Sequence, residues 1–264
     1  KEVVLEQQKE LLLPASILRE TSIKPLKKFV FILMGIRRSG KSTLLRQYLK
    51  KRKPLYYLRF EDLRLADFET SDFNKLNEVF EESLGKGGVY FLDEVQNIAG
   101  WEIYVRSLLN SEKEVFITGS NSRLMSKELA TRLTGRNISQ ELYPFSFKEF
   151  CMAKKIKESI KSLDEYIVSG GLPEYVFVND VRILESLAKD IIYKDVLVRH
   201  KIRDEVIVEK IVLYLLSNIG RELSYNKIAK LLGNISRNTV ISLMNALEDA
   251  YFLFTINCFD FSLK

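Results

Sequence analysis

Residues 35–42 read GIRRSGKS and directly follow the apolar run FVFILM at 29–34. They fit the pattern G-x-x-x-x-G-K-[ST], in which backbone N–H groups surround a phosphate chain at the positive end of a helix. In that pattern Lys41 reaches the β- and γ-phosphates, and the Ser42 hydroxyl coordinates Mg²⁺. The alternative is a glycine-rich strand-to-helix turn with an incidental lysine. We expect phosphate-loop ligands from Gly35, Arg38, Ser39, Gly40, Lys41, Ser42 and Thr43.

An acidic pair ends a second apolar run. VYFLDE occupies residues 89–94, so a buried strand carries Asp93 and Glu94 to its carboxyl end, the edge where α/β sheets bind ligands. Asp93 is expected to hold Mg²⁺ through water, and Glu94 is expected to polarise the water that attacks the phosphate. The alternative is an ordinary strand that ends in two solvated acids.

Five β-rich runs alternate with helix-patterned segments between residues 29 and 142. Near-continuous apolar strands separated by helices are typical of a parallel sheet covered on both faces. The strands are FVFILM (29–34), PLYYLRF (54–60), VYFLD (89–93), VFITG (115–119) and ISQEL (138–142), with helices expected at 42–51, 72–84, 101–110 and 122–129.

A polar pair, Ser120 and Asn121, follows the strand at 115–119. If this strand inserts between the strands that carry Lys41 and Asp93, Asn121 or Ser120 can hydrogen-bond the γ-phosphate or its attacking water. A polar loop without such a role is the alternative.

Two downstream arginines, Arg132 and Arg136, lie in ATRLTGRN. Phosphoryl transfer is accelerated by an arginine that neutralises transition-state charge, supplied by the same subunit or by a neighbour. Either residue is a candidate for that role. Each of them also fits an ordinary surface arginine.

The strand pattern ends after YPFSFKEF at 143–150, and helical periodicity replaces it. This shift predicts an α/β domain over 1–150, a helical lid over 151–204 and a third domain over 205–264. A helix is expected over 206–219, with apolar positions at helical spacing. These positions are Val208, Ile211, Val212, Leu215, Leu216 and Ile219.

The last sixty residues predict a winged helix-turn-helix. Ser224 opens a short helix over 225–232, Gly233 and Asn234 make a turn, and Ser236 can cap a second helix. The strand-like run FLFTINCF follows at 252–259. Helix, turn, helix and strand in that order are the parts of this motif. The buried face of the second helix is expected to contain Val240, Leu243, Met244, Leu247 and Tyr251.

The composition excludes several classes of protein. The 264 residues are 46% hydrophobic and 29% charged, which is typical of a globular chain and not of disorder or collagen. No apolar window approaches a membrane span and no signal peptide is present, so a cytoplasmic protein without a membrane partner is expected. Cys151 and Cys258 lie far apart and His200 is the sole histidine, which disfavours a disulfide framework, a zinc site and His-dependent catalysis.

The net charge of +6 is unevenly distributed along the chain. Residues 1–53 hold 14 Lys and Arg against 4 Asp and Glu, and this excess surrounds the phosphate loop. The basic pI is therefore weak evidence for nucleic-acid binding. The chain lacks an initiator Met and ends at FDFSLK directly after a strand-like run, so a processed or incomplete chain is expected.

The motifs together resemble the archaeal and bacterial P-loop ATPases of the AAA+/STAND type, in particular the AAA_14 group that is usually joined to a DUF4143 region. The resemblance covers nearly the whole chain. ELYPFSFKEF is its least generic element, because no chemistry demands that stretch. The supporting motifs are GIRRSGKS (35–42), LDEVQ (92–96), ITGSNS (117–122), TGR followed by ELYPFSFKEF (134–150) and GGLPEYV (170–176).

The resemblance implies a role for several positions. It implies Walker A at Gly35, Gly40, Lys41 and Ser42, and Walker B at Asp93 with a catalytic Glu94. It also implies a sensor at Asn121, makes Arg136 the preferred arginine finger or sensor, and places Pro173 in the G-x-P element with which STAND lids approach the nucleotide. A plain turn is the alternative for Pro173. Family members continue into a nuclease-like domain that is absent here, so no nuclease chemistry is assigned.

The expected fold is therefore α/β, a parallel P-loop NTPase sheet of order 5-1-4-3-2 with a helical lid and a C-terminal winged helix-turn-helix. The leading hypothesis is an ATPase that uses ATP and Mg²⁺ and acts as a molecular switch. Binding to a protein partner and formation of an oligomer are both compatible with this hypothesis. ATP is preferred over GTP because no N-K-x-D guanine signature is present. The alternative is a nucleotide-responsive DNA-binding regulator in which Arg237 contacts DNA. A small-molecule kinase is the third reading.

Overall fold

The computed structural model describes residues 1–11, 17–122 and 131–257. The chain divides into two compact units, Lys1–Val181 and Arg182–Lys264. The first unit contains a β-sheet covered by helices, and the described part of the second unit is helical. The three domains expected over 1–150, 151–204 and 205–264 stay a prediction.

The sheet of the first unit has five parallel strands in the order β2-β3-β4-β1-β5. This is the predicted order 5-1-4-3-2, read from the other edge, and it confirms the P-loop NTPase sheet. Every residue of the central strands β1 and β4 is buried, because helices cover both faces of a parallel sheet. The strands are Val30–Met34 (β1), Leu55–Arg59 (β2), Val89–Asp93 (β3), Val115–Gly119 (β4) and Asn137–Glu141 (β5).

Helices connect the strands close to the positions that the sequence predicts. The helices before residue 143 are Glu2–Glu10 (α1), Lys41–Leu49 (α2), Asp72–Leu84 (α3) and Trp101–Asn110 (α4). Helices α3 and α4 have the bounds that the sequence predicts, 72–84 and 101–110. The helix expected at 122–129 lies, apart from Ser122, outside the described residues. One face of the sheet packs against α2 in a core formed by Phe31, Leu33, Leu44, Leu45, Leu49, Tyr57, Phe91, Phe116 and Leu142.

Helix α1, for which the sequence analysis made no prediction, covers the edge strand β2. The Gln7 side chain donates to the Arg59 carbonyl at 3.3 Å and accepts from the Arg59 N–H at 2.7 Å. Gln8 donates to the Tyr57 carbonyl at 3.2 Å. An open edge strand exposes unpaired backbone groups that another chain can pair with. The two glutamines of α1 satisfy such groups within the chain.

Three helices follow the sheet within the first unit. They are Phe147–Lys154 (α5), Ile160–Ser169 (α6) and Pro173–Val178 (α7). A capping box begins α5, since Ser146 Oγ accepts from the Glu149 N–H while the Glu149 carboxylate accepts from the Ser146 N–H. A small apolar cluster holds this region together and consists of Phe145, Phe150, Cys151 and Val176.

The second unit contains the predicted pair of capped helices. Its elements are Val181–Asp190 (α8), a π-helical segment Ile191–Val198, Glu205–Leu216 (α9), Tyr225–Leu231 (α10) and Arg237–Asp249 (α11). Ser224 Oγ accepts from the Lys227 N–H and Ser236 Oγ accepts from the Thr239 N–H, as N-caps do. Gly233 and Asn234 have positive φ at the turn between the two helices. On α11, the predicted Val240, Leu243, Met244 and Leu247 are buried, and Tyr251 after the helix is half-buried.

Two expectations for the second unit differ from the structure. Helix α9 ends at Leu216, and Leu216 and Ile219 are 53% and 78% exposed, so the predicted apolar face is buried only through its first half. Residues 252–257 form no strand, and 258–259 lie outside the described residues. A strand needs a neighbour for its backbone groups, and the described part of this unit offers none. The winged-helix assignment stays a prediction.

Within the described ranges, none of the helices combines the length and the apolar character that crossing a membrane requires.

Candidate functional site

The loop between β1 and α2 requires glycine at both of its ends. Gly35 has φ of 144°, and a Cβ atom there would lie 2.1 Å from the Leu142 carbonyl oxygen. Gly40 has φ of 95° and forms the N-cap of α2. Side chains disfavour positive φ, and the backbone at Gly35 leaves no room for one. The loop can therefore follow its tight path from the carboxyl end of β1 into the N-terminus of α2.

Lys41, the first residue of α2, is buried within this loop. Its Nζ donates to the carbonyls of Gly35 at 3.0 Å and Ile36 at 3.1 Å, and it lies 3.6 Å from Glu94 Oε1. Two carbonyls and one carboxylate thus stabilise the ammonium group. The arrangement holds a positive charge at the N-terminus of a helix, where anions bind.

Asp93 ends β3 and accepts three side-chain hydrogen bonds. Ser42 Oγ donates at 2.8 Å, Tyr57 OH donates at 3.1 Å, and the Thr118 hydroxyl donates to the same oxygen as Ser42. Burial, followed by the nearby negative charge of Glu94, raises the pKa of Asp93 despite these donors. A carboxylate and a hydroxyl oxygen in contact are the hard ligands that Mg²⁺ prefers.

Glu94 lies next to Asp93 in a left-handed backbone conformation with φ of 53°. Its Oε2 accepts from Gln96 Nε2 at 2.6 Å and from the Ser120 N–H at 3.1 Å. Burial opposes ionisation, but the positive charge of Lys41, the Gln96 hydrogen bond and the charge of Arg37 together hold the pKa of Glu94 below its usual value. The ionised carboxylate can accept a hydrogen bond or a proton from water.

Strand β4 lies between β1 and β3, as the sensor hypothesis requires, and brings three polar residues to the same edge. Thr118 accepts from the Glu94 N–H at 3.0 Å and donates to Asp93, so one hydroxyl links both acids. Ser120 and Asn121 follow at the end of the strand, and both are buried. The structure therefore brings Asn121 to the site, while its sensor role stays a prediction.

Two buried hydroxyls indicate that the site fits a polar ligand. Ser39 Oγ in the loop and Ser120 Oγ beside Glu94 have no hydrogen-bond partner among the described residues. Buried polar atoms are nearly always paired in folded proteins, and each exception needs an explanation. The oxygens of a phosphate chain would supply the acceptors that these two donors require.

Arg136 and Arg132 lie elsewhere in this chain. Arg136 directly precedes β5 at the amino edge of the sheet, where its Nη2 donates to Asn110 Oδ1 at 2.7 Å. Five strand residues separate that edge from the phosphate loop, a distance of roughly 16 Å. Arg132 forms an ion pair with Glu102. Arg136 therefore does not reach the site of its own chain, and a catalytic role requires a neighbouring subunit.

Pro173 begins α7 in a segment that contacts the phosphate loop through its neighbour. The Glu174 carboxylate lies 3.1 Å from Arg38 Nη1. Gly171 accepts from the Phe145 N–H at 2.7 Å, and a Cβ atom on Gly171 would lie 2.1 Å from the Phe145 carbonyl oxygen. Glycine is thus needed at position 171 because the backbone of Phe145 lies too close for a side chain. The structure brings this segment next to Arg38, and the nucleotide-binding role of Pro173 stays a prediction.

Sequence reasoning missed four residues that shape the site. Thr118 and Gln96 lie within quoted motifs, ITGSNS and LDEVQ, and their polar character beside the acids was an available signal. Tyr57 lies in a strand that reads as core. Arg19 donates to the Ser39 carbonyl at 2.8 Å from a segment that carries no motif, so no sequence signal pointed to it.

Comparison with known proteins gives two family matches. Residues 27–151 match the AAA_14 family, described as an AAA domain, and residues 160–263 match DUF8612, a domain of unknown function.

Similar sequences occur in an archaeon and in a bacterium. An uncharacterised protein of Methanocaldococcus jannaschii is 33% identical over 100% of this chain and 64% of its own length. An uncharacterised protein of Haemophilus influenzae is 33% identical over 88% of this chain and 63% of its own length. The chain thus spans less than two thirds of these relatives.

One solved structure with a distant likeness is that of the Aeropyrum pernix ORC1 protein in complex with DNA. It is 14% identical and covers 94% of this chain and 83% of its own, with a TM-score of 0.38.

Proposed function

Residues 27–151 of this chain belong to the AAA_14 family of AAA domains, which are P-loop ATPase domains of the AAA+ type. We propose that the protein binds and hydrolyses Mg-ATP and acts as a molecular switch. The observation that carries the proposal is the convergence of four residues at the carboxyl edge of the sheet. Ser42 Oγ donates to Asp93 at 2.8 Å, Lys41 Nζ lies 3.6 Å from Glu94 Oε1, and the Thr118 hydroxyl links Asp93 to Glu94.

The proposed chemistry assigns one task to each group. Lys41 Nζ binds the terminal phosphates, and the backbone N–H groups of the loop bind the rest of the chain. The Ser42 hydroxyl and the Asp93 carboxylate would hold Mg²⁺, which neutralises phosphate charge when bound. Glu94, ionised and held by Gln96 and the Ser120 N–H, orients the attacking water at Oε1 and accepts its hydrogen bond.

The contact of Arg38 with Glu174 supports the switch part of the proposal. Arg38 lies in the phosphate loop and Glu174 in the first turn of α7, so a ligand that attracts the Arg38 guanidinium competes with this ion pair. Occupation of the site would then change how the segment 170–176 is held. In the proposed mechanism, Arg136 acts on the nucleotide bound by a neighbouring subunit of an oligomer, because it lies at the amino edge of its own sheet, away from the phosphate loop.

The experiment measures nucleotide binding and steady-state Mg-ATP turnover with purified protein. Wild type is compared with Lys41→Ala and Glu94→Gln, and Glu112→Gln serves as a matched control because Glu112 is exposed at the opposite edge. We expect Lys41→Ala to lose binding, Glu94→Gln to keep binding and lose turnover, and Glu112→Gln to behave as wild type. Absence of ATP and ADP binding by wild type would refute the proposal. A preference for GTP in competition would refute the choice of ATP.

A second candidate, a nucleotide-responsive DNA-binding regulator, is favoured by the exposed face of α11. Arg237, Asn238, Ser242 and Asn245 are exposed there, and such side chains can contact phosphates and base edges. The acidic Glu248 on the same helix is occupied, since it accepts from the Thr255 N–H at 3.1 Å and from its hydroxyl.

A duplex DNA titration at several salt concentrations tests this candidate. DNA binding through phosphate contacts weakens steeply with salt, and Arg237→Ala should weaken it at every salt concentration. Lys210→Ala is the control, because Lys210 is an exposed cation on α9 of the same unit. Absence of binding at low salt, or equal effects of both substitutions, would reject the DNA role of α11.

A further inference from the structure

Arg19 has a buried guanidinium group in which each of the three nitrogens donates to a separate acceptor. Its Nε donates to Glu149 Oε1 at 2.8 Å, its Nη1 to the Ser39 carbonyl at 2.8 Å and its Nη2 to the Tyr143 carbonyl at 2.8 Å. Both side chains of the Arg19–Glu149 pair are 4% exposed. Burying an ion pair costs desolvation free energy that an apolar pair would avoid, so stability alone is a weak reason for it.

The contact with Ser39 determines the orientation of one peptide group in the phosphate loop. In a trans peptide the carbonyl and the following N–H point in opposite directions. Because Arg19 holds the Ser39 carbonyl on its side, the N–H of Gly40 points away from Arg19. Among the described residues, none accepts a hydrogen bond from this N–H. A cationic donor on the carbonyl also polarises the peptide, which strengthens the N–H as a donor.

We propose that Arg19 is a positioning residue for the phosphate loop, which aims and polarises the Ser39–Gly40 peptide so that the Gly40 N–H donates to a phosphate oxygen of the bound nucleotide. This inference rests on the proposed nucleotide site and adds a residue outside its motifs. Lysine cannot replace Arg19, because three acceptors in different directions require the planar fork of a guanidinium group.

Glu149 holds Arg19 in place from the opposite side. Its Oε1 accepts from Arg19 Nε and from the Glu20 N–H at 2.9 Å, while its Oε2 accepts from the Ser146 N–H at 2.9 Å. These donors fix the carboxylate at the start of α5 and outweigh the effect of burial, so the pKa of Glu149 is held below its usual value. Glu149 and Tyr143 both lie in ELYPFSFKEF, so this motif acquires a physical role as the frame that holds Arg19.

A spectroscopic test follows from the rarity of one dipeptide. Ser-Gly occurs twice in the chain, at 39–40 and 169–170. Protein labelled with ¹³C-carbonyl serine and ¹⁵N-glycine therefore gives two carbonyl-to-amide correlations. Ser169→Ala removes one of them and so assigns both. The 169–170 peptide is an internal control, because the Gly170 N–H donates to the Tyr166 carbonyl as a helix cap without Arg19.

Arg19→Lys should move the Ser39 carbonyl resonance upfield, because a hydrogen bond to the oxygen deshields that carbon. In wild type, ADP should move the Gly40 amide proton downfield as it gains a phosphate acceptor, and this movement should shrink in the variant. In the ligand-free protein, the 169–170 correlation should have the same position in wild type and in Arg19→Lys, because the Gly170 N–H donates to the Tyr166 carbonyl. Unchanged Ser39 and Gly40 resonances in Arg19→Lys would overturn the inference.

Affinity measurements separate positioning from a general structural effect. Arg19→Lys should raise the Kd for ADP and for inorganic pyrophosphate by the same factor, about tenfold, because the affected donor serves the phosphates alone. Arg59→Lys is the matched control, since Arg59 pairs with Glu10 at 2.8 Å on the edge strand β2. If Arg19→Lys unfolds, the double variant Arg19→Met with Glu149→Gln removes both buried charges and keeps an acceptor for the Ser146 N–H of the capping box. This variant should fold and should show the same weakened affinity.

The possible failures are distinguishable. Wild type that binds neither ADP nor pyrophosphate would overturn the proposed nucleotide site, and the role of Arg19 with it. Wild type that binds both, with Arg19→Lys or the double variant binding equally well, would overturn the inference alone.

Discussion

The two edges of the sheet carry similar charged residues in opposite environments. At the carboxyl edge, Lys41, Asp93 and Glu94 are 4%, 1% and 8% exposed. Glu94 lies 3.6 Å from Lys41, and the Thr118 hydroxyl links Glu94 to Asp93. At the amino edge, the side chains of Lys28 and Glu112 form an ion pair while 66% and 71% exposed.

Of the two edges, the carboxyl edge is thus the one at which charged side chains are buried. Exposed ion pairs contribute little to stability, whereas buried charges cost desolvation free energy unless partners compensate them. Strained or costly groups concentrate at functional sites, because there they serve binding or catalysis. The carboxyl edge therefore has the energetics of a site, and the amino edge those of an ordinary protein surface.

The largest expected difference between the edges is in turnover. Glu94→Gln should lower kcat by about 10²- to 10³-fold, because the amide cannot accept a proton from the attacking water. Nucleotide affinity should stay near wild type, since Lys41 and the loop remain. Steady-state turnover and equilibrium binding of the variant measure both effects. Equal turnover in Glu94→Gln and wild type would remove the distinction between the two edges.

Thr118→Val should destabilise the protein by about 1–3 kcal/mol, because the Glu94 N–H loses its acceptor within the buried edge. Asp93 also loses a donor. Urea unfolding measures the change in the free energy of unfolding. Ser111→Ala at the exposed amino edge is the control and should stay within about 0.5 kcal/mol of wild type. A Thr118→Val protein as stable as this control would contradict the hydroxyl link between the two acids.

Asp93→Asn should raise the free energy of unfolding of the ligand-free protein at pH 7, because burial of the carboxylate raises the pKa of Asp93 in the folded state. A raised folded-state pKa stabilises the protonated form at low pH, and that stabilisation is lost as the pH rises through the folded-state value. The difference in the free energy of unfolding between Asp93→Asn and wild type should therefore become smaller as the pH falls towards the ordinary aspartate pKa of about 3.9.

At the amino edge, Glu112→Gln should change the stability of the protein in the opposite direction and should lower the free energy of unfolding at pH 7. The hydrogen bond and the charge of Lys28 lower the pKa of Glu112, so its stabilisation is present above its ordinary pKa and lost as the pH falls. Thermal unfolding of the two variants and wild type across pH measures both trends. The same sign for Asp93→Asn and Glu112→Gln would contradict the comparison of the two edges.

The smallest effect is expected for Arg136→Ala. Its guanidinium pairs with Asn110 at the amino edge, so nucleotide affinity should equal that of wild type. Turnover should fall only at protein concentrations where wild type self-associates, because the arginine then acts on a neighbour. Turnover measured over a dilution series, with sedimentation of the same samples, tests this. A loss of turnover at all dilutions would show that the amino edge contributes to the site of its own chain.

Local patterns in the sequence determined the strands, most of the helix bounds and the Walker motifs. Apolar runs, helical spacing and cap residues act over a few neighbours, so β3 and β4 match their predicted bounds and Ser224 and Ser236 cap helices as expected. The parallel orientation of the strands follows from apolar runs that alternate with helices, and the observed strand order is the one that the resemblance to P-loop ATPases implies.

Packing between distant segments decided the rest. The contact of Arg19 with Glu149 spans 130 positions, and Gln7 covers an edge strand 52 positions away. No local pattern encodes such pairs, since they depend on which surfaces meet when the chain folds. The same reason left Leu216 exposed at the end of α9 and Ile219 exposed beyond it, although both continue the apolar periodicity. It also placed Arg136 at the edge of the sheet away from Lys41. Periodicity specifies which face of a helix is apolar, and only the tertiary structure decides what that face contacts.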